Sequence, residues 1–212
     1  RHTIVIVGAM GARMSLSTTG VSPVVIGRKD SGGNIGSIPA NNMTALAISS
    51  DTVLIRDLTV NAGTTSGSKG IVAMGAGTSV TLLRVTANLT TGLGVEADTG
   101  TTLTMNASTV SDNSMGGGIL LNGAAFDIEG TTVTGNGPSA DLTWGGIKIQ
   151  SPIASADTLN LVTVQNNLGP GVSCSAAVAG TGVLASGNAT GQIAGTCGFS
   201  SCGTAGPICG AQ

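Results

Sequence analysis

The stretch Gly94-Val-Glu-Ala-Asp-Thr-Gly-Thr-Thr-Leu-Thr-Met-Asn-Ala-Ser-Thr-Val-Ser-Asp-Asn113 contains three short alternating segments separated by Gly, Asn and Thr turns. Its opening motif is Gly, hydrophobic, any residue, hydrophobic. That motif recurs as Gly70-Ile71-Val72-Ala73, Gly94-Val95-Glu96-Ala97, Gly118-Ile119-Leu120-Leu121, Gly146-Ile147-Lys148-Ile149 and Gly171-Val172-Ser173-Cys174. The glycines are 24, 24, 28 and 25 residues apart. An alternating segment follows in each unit: Val53-x-Ile55, Val80-x-Leu82, Leu103-x-Met105, Phe126-x-Ile128 and Leu159-x-Leu161. Each unit closes with an aliphatic residue three before an Asn, at Leu58/Asn61, Val85/Asn88, Val110/Asn113, Val133/Asn136 and Val164/Asn167.

Period-2 segments this short are strands, and a repeat of about 25 residues marks a solenoid. One coil cannot bury its apolar face alone, so coils stack and equivalent residues form ladders about 4.8 Å apart. The expected fold is all-β, with about 6–8 coils and three short parallel strands in each. Ile71, Val95, Ile119, Ile147 and Val172 form one inward ladder, and Ala73, Ala97, Leu121, Ile149 and Cys174 a second. Val72, Glu96, Leu120, Lys148 and Ser173 lie between them and point outward. Asn at a repeated turn suits a left-handed bend, and its amide can bond to the Asn of the next coil.

At Leu103–Asn113 and Phe126–Asn136 the chain resembles the right-handed parallel β-helix repeat proteins, the pectin-lyase-like superfamily of secreted bacterial type. The resemblance spans roughly residues 44–190 and implies a right-handed single-stranded parallel β-helix. Residues 1–43 read as irregular first coils, with strands near Thr3–Val7 and Val24–Ile26, and 191–212 as a cap. The family includes lyases, hydrolases, adhesins and passive surface proteins, so the fold alone selects no function.

Composition excludes more than it selects. Charged residues make up 8% of the chain and the net charge is −2, so no basic patch exists to hold nucleic acid. No run of about 18 apolar residues could span a membrane. The chain opens at Arg1-His2 with neither an initiator Met nor a signal peptide, and is read as a piece of a longer precursor.

Hydrolases of the resembling family imply several neighbouring Asp, an Asp-Asp pair, a His and Arg-x-Lys. This sequence has no Asp-Asp, its single His is His2, and Arg28-Lys29-Asp30 departs from the pattern. Asp127 faces outward beside Thr104 and Asn160 without an acidic partner. Lyases of the fold imply bound calcium, which takes six to eight oxygens that no acidic cluster here supplies. No catalytic residue, metal or cofactor is therefore assigned. Gly92-Leu-Gly94-Val-Glu-Ala97 matches a dinucleotide fingerprint, but no helix follows it. Sugars stack on aromatic rings, and Trp144, in the longest turn, is the best contact candidate, unless it covers the coil edge beneath.

One outward array merits a binding reading. Around the third-strand aliphatic residue stand Thr109/Ser111, Thr132/Thr134 and Thr163/Gln165, with Asp57/Thr59 and Arg84/Thr86 on earlier coils. A Thr-x-Thr array resembles the surface of ice-binding solenoids, although here charges interrupt it. Only one of the five coils has both threonines, and the ordinary strand propensity of Thr is the plainer explanation. The four cysteines allow three pairings. No Cys-x-x-Cys spacing favours zinc. Cys174 holds an inward ladder position and Cys197 follows about one coil later, so these pair, leaving Cys202 with Cys209 to staple the tail.

The expected function is a non-catalytic, secreted or cell-surface β-helix serving as a rigid structural or adhesive module. The alternative is a carbohydrate-active β-helix with part of its site in missing precursor regions, and ice binding is a third reading. Expected partners are a polysaccharide or the cell-surface matrix, with end-to-end self-association through residues 3–26, no nucleic acid and no membrane span.

Overall fold

The computed structural model describes residues 44–49, 52–61, 66–137, 143–150 and 157–199, together with the strands Thr3–Val7, Met14–Ser17 and Val24–Ile26. No helix occurs among the described residues. The strands form three all-parallel sheets, here A, B and C. Sheet A stacks Thr3–Val7, Thr52–Arg56, Ser79–Leu83, Thr102–Asn106, Ala125–Glu129, Thr158–Asn160 and Ala179–Thr181. Sheet B stacks Met14–Ser17, Leu58–Asn61, Thr86–Asn88, Thr109–Ser111, Thr132–Thr134, Thr163–Gln165 and Leu184–Ser186. Sheet C stacks Val24–Ile26, Thr44–Ile48, Lys69–Ala73, Val95–Asp98, Ile119–Asn122, Ile147–Gln150, Val172–Cys174 and Ile193–Gly195.

From Thr44 onward the chain visits C, then A, then B, completing six coils of a parallel β-solenoid by Ser186. The N-terminal strands add one further strand to each sheet. Met14–Ser17, which alternation did not single out, pairs with Leu58–Asn61.

The interior is a set of columns. Sheet C aligns Leu46, Ile71, Val95, Ile119, Ile147 and Val172, and beside them Ile48, Ala73, Ala97, Leu121, Ile149 and Cys174. Sheet A contributes Ile55, Leu82, Met105, Ile128 and Leu159. Sheet B contributes Val60, Ala87, Val110, Val133, Val164 and Ala185. All are essentially closed to solvent. Burying one large aliphatic side chain stabilises by about 1.5–3 kcal/mol, so repetition builds the core.

The register corrects several expectations. Leu159 stacks on Ile128, not Phe126. The place above Phe126 falls to Asp157, which is 2% exposed and accepts a hydrogen bond from the Phe126 N–H at 3.1 Å. Leu161 consequently turns out of the core, 52% exposed with φ 52°. The third-strand columns contain Val60 and Ala87, so the Asn of Leu58/Asn61 and Val85/Asn88 falls outside the turn ladder. On the outer face of sheet C, Ala47, Val72 and Glu96 are buried, whereas Leu120, Lys148 and Ser173 are partly exposed. Glu96 is closed over by Lys69, whose ammonium pairs with its carboxylate.

Among the described residues two corners of the coil bend through a left-handed residue, the first on six coils and the second on five. Asp57, Arg84, Ala107, Gly130, Leu161 and Gly182 occupy the A-to-B corner, with φ between 47° and 67°. Leu89, Asp112, Gly135, Asn166 and Gly187 occupy the corner after sheet B, with φ between 53° and 66°. The chain must turn sharply there, and each non-glycine residue in this region costs about 1–2 kcal/mol.

Beside the second corner runs a buried amide ladder through Asn113, Asn136, Asn167 and Asn188. The Oδ1 of Asn136 accepts from the N–H of Asn113 at 3.2 Å and from its Nδ2 at 2.8 Å. The Nδ2 of Asn136 donates to the carbonyl of Val110 at 3.1 Å and to Oδ1 of Asn167 at 2.9 Å. Every donor and acceptor of that side chain is used, and the pattern repeats coil by coil. Thr90 starts the ladder, its hydroxyl donating to Asn113 Oδ1 at 2.8 Å, and Gln192 ends it by accepting from Asn188 Nδ2 at 2.9 Å.

At the C-terminal end Cys174 and Cys197 form a disulfide, with Cα atoms 4.9 Å apart. Gly180 leaves an empty place above Leu159 in sheet A, and the Phe199 ring lies against it. The expected Cys202–Cys209 pair lies outside the described residues, as do the side chains of residues 3–26. Reducing the protein should lower its stability by roughly 3 kcal/mol, the loop-closure value for such a span, measured as a urea midpoint with and without reductant. An unchanged midpoint would show that the last coil holds without its staple.

The glycine opening each repeat is required by space rather than by φ. A Cβ on Gly118 would lie 2.6 Å from Val133 Cγ1, 2.7 Å from the Gly146 carbonyl oxygen and 2.9 Å from Asn136 Nδ2. Gly118→Ala should therefore cost about 3 kcal/mol through overpacking. At Gly130 the nearest atom to a new Cβ is 3.8 Å away and φ is 54°, so Gly130→Ala should cost only about 1 kcal/mol of left-handed strain. Urea unfolding of both variants checks this, and equal losses would contradict it.

Candidate functional site

The outer face of sheet B repeats one residue type coil after coil. Parallel pairing stacks Thr59, Thr86, Thr109, Thr132 and Thr163 on five successive coils, followed by Leu184. Two residues along each strand the companion column runs Asn88, Ser111, Thr134, Gln165 and Ser186. The structure thus brings Thr109, Ser111, Thr132, Thr134 and Thr163 onto one face. It also adds Thr59 and Thr86 without the charged neighbours assigned to them from sequence.

That assignment was out of register. Asp57 and Arg84 sit one step earlier, at the left-handed A-to-B corner, and their side chains bond each other. Arg84 Nε donates to Asp57 Oδ1 at 2.6 Å, and Nη2 to Oδ2 at 2.9 Å. This hydrogen-bonded guanidinium holds the Asp57 carboxyl below its ordinary range. The signal that could have fixed the register is loop length. From the end of each sheet A strand to the sheet B threonine is always three residues, as in Arg56 to Thr59, Asn106 to Thr109 and Asn160 to Thr163.

No charged residue stands in either column on the six coils. The five threonines are partly exposed, and among the described residues no side-chain group hydrogen-bonds their hydroxyls. Rows repeat at the coil rise of about 4.8 Å and the columns lie about 6.6 Å apart, two residues along a strand. The result is a neutral array of hydroxyl, methyl and amide groups, partly exposed along the threonine column and buried at Ser111.

The outer face of sheet A is different. Asp127 stacks between Thr104 and Thr158, not beside Asn160, and accepts from the Thr158 hydroxyl at 2.7 Å. Glu129 shares that face two residues on, between Asn106 and Asn160, and Asn106 Nδ2 donates to it at 3.3 Å. Asp127 therefore has an acidic neighbour that the sequence reading missed. Both carboxylates are exposed. Among the described residues no three His, Cys, Asp or Glu side chains converge in a metal-binding group.

Trp144 is 4% exposed, and its ring fills the space over Gly117, where a Cβ would lie 2.5 Å from Cζ3. It belongs to the packing beneath the turn. Comparison of the chain with family models, with curated proteins and with solved structures returned no match. Fold and surface together define a three-sheet parallel β-solenoid with one uncharged hydroxyl-bearing face.

Proposed function

We propose that this chain is a non-catalytic module of the cell surface or exterior, a rigid β-helix that works through the outer face of sheet B. The observation that carries the reading is the charge-free pair of columns, whose threonine hydroxyls no described side chain engages. A surface of this kind binds by geometry and neutral hydrogen bonding rather than by steering a charged ligand. The Cys174–Cys197 bond suits an oxidising compartment.

Asp127 and Glu129 favour a second, carbohydrate-active reading. Two residues along a strand put both side chains on one face with Cα atoms about 6.6 Å apart, the neighbouring placement that a pair of carboxylates acting on one bond requires. Against it, both groups lie open on a strand, and Thr158 and Asn106 already bond to them. Incubation with pectins, alginates and glycosaminoglycans, followed by uronide absorbance and reducing-end assays, separates the two readings. Background turnover is expected. Turnover abolished by Asp127→Asn or Glu129→Gln would replace the binding module with an enzyme.

A further inference from the structure

We infer that the ligand of the sheet B face is ice; this rests on the preceding assignment of that face as the working surface and names what it binds. Three observations point the same way. The first is periodicity. A single residue type repeats at one register position on five successive coils, so its hydroxyls and methyls recur at the coil rise of about 4.8 Å. A ligand that uses every copy must itself be periodic in the same plane. The second is neutrality. The neighbouring outer faces carry Arg56, Asp127 and Glu129 on sheet A and Lys148 on sheet C, whereas the sheet B strands carry none, the nearest charges Asp57, Arg84 and Asp112 standing at their corners. A charge would hold its own hydration shell and disrupt an ordered water layer, so its exclusion from one face alone fits a lattice of water. The third is the absence of rings. No aromatic residue stands on any sheet B strand, which removes the stacking platform that crystalline polysaccharides require.

The chemistry follows from threonine itself. Each β-branched side chain is stiff at χ1 on a strand, so its hydroxyl is held where the backbone places it. The hydroxyl can donate to and accept from lattice waters, and the adjacent methyl orders the waters between rows. Ordering this surface costs little entropy on binding because the parallel sheet and the buried amide ladder already fix it. The A-to-B corner keeps a constant length in all six coils, which holds the threonine column in line.

The test is freezing-point hysteresis and inhibition of ice recrystallisation by the purified chain, beside Thr132→Arg, Thr109→Arg and, as a control on another face, Lys148→Gln. The wild type and Lys148→Gln should show both effects. Each Thr→Arg variant should lose most of them while keeping its circular dichroism and melting temperature. A wild-type chain without hysteresis or recrystallisation inhibition would overturn ice as the ligand. In parallel, pull-down on insoluble cellulose, chitin and cell-wall pellets separates this from the underlying assignment. Retention that Thr132→Arg abolishes, with no effect on ice, would keep sheet B as the binding face and reject ice. Hysteresis unaffected by either Thr→Arg change would reject the face itself.

Discussion

The buried asparagine ladder is the interaction on which the rest of this solenoid depends. Parallel strands supply hydrogen bonds between coils along the sheets, but the corner between sheets B and C leaves sheet and must find other partners for its backbone. Asn113, Asn136, Asn167 and Asn188 provide them, each accepting from the backbone N–H of the preceding rung and donating to a carbonyl of the coil before it. An amide is the right group because it has two donors and a doubly accepting oxygen, matching the four bonds available at each rung. Leaving any of them unmade in a site this buried would cost about 1–3 kcal/mol per group.

The ladder also dictates its surroundings. The amides occupy volume beside the start of each sheet C strand, which is why Gly118 and Gly171 cannot carry a Cβ there. The valines of sheet B fill the other side of the same space, so Asn, Val and Gly form one packing unit that repeats with the coil. Length variation moves to the turns leading into sheets C and A, and the short A-to-B corner stays constant. Sheet B therefore keeps step with sheet A from coil to coil, which holds its outer columns in line.

Much of this was legible in the sequence. The Gly-hydrophobic-x-hydrophobic motif located every regular sheet C strand from Gly70 to Cys174, because glycine there is forced by contact. Cys174 could be paired with Cys197 because a ladder position and one coil length together fix a distance. The third strand was harder. Leu58 and Val85 are buried aliphatics two residues before the true column, and Asn61 and Asn88 stand two residues too early for the turn ladder. Alternation has period two, so a slip of two preserves every inward and outward assignment while displacing charged residues into the wrong row. That slip set Asp57 and Arg84 among the threonines. Thr90 concealed the start of the ladder because a hydroxyl, not an amide, begins it. The burial of Glu96 depends on Lys69, 27 residues earlier, a contact that no local pattern encodes.

The most direct measurement is the stability of Asn136→Ala beside Asn136→Thr, by urea unfolding of the whole chain. Alanine removes the acceptor for Asn113 and the donor to Val110 together, and should cost about 3–6 kcal/mol. Threonine restores a hydroxyl of the kind that Thr90 uses and should recover part of that loss. A loss under about 1 kcal/mol for alanine, the size of an ordinary surface change, would contradict a solenoid held at its corner by the amide ladder.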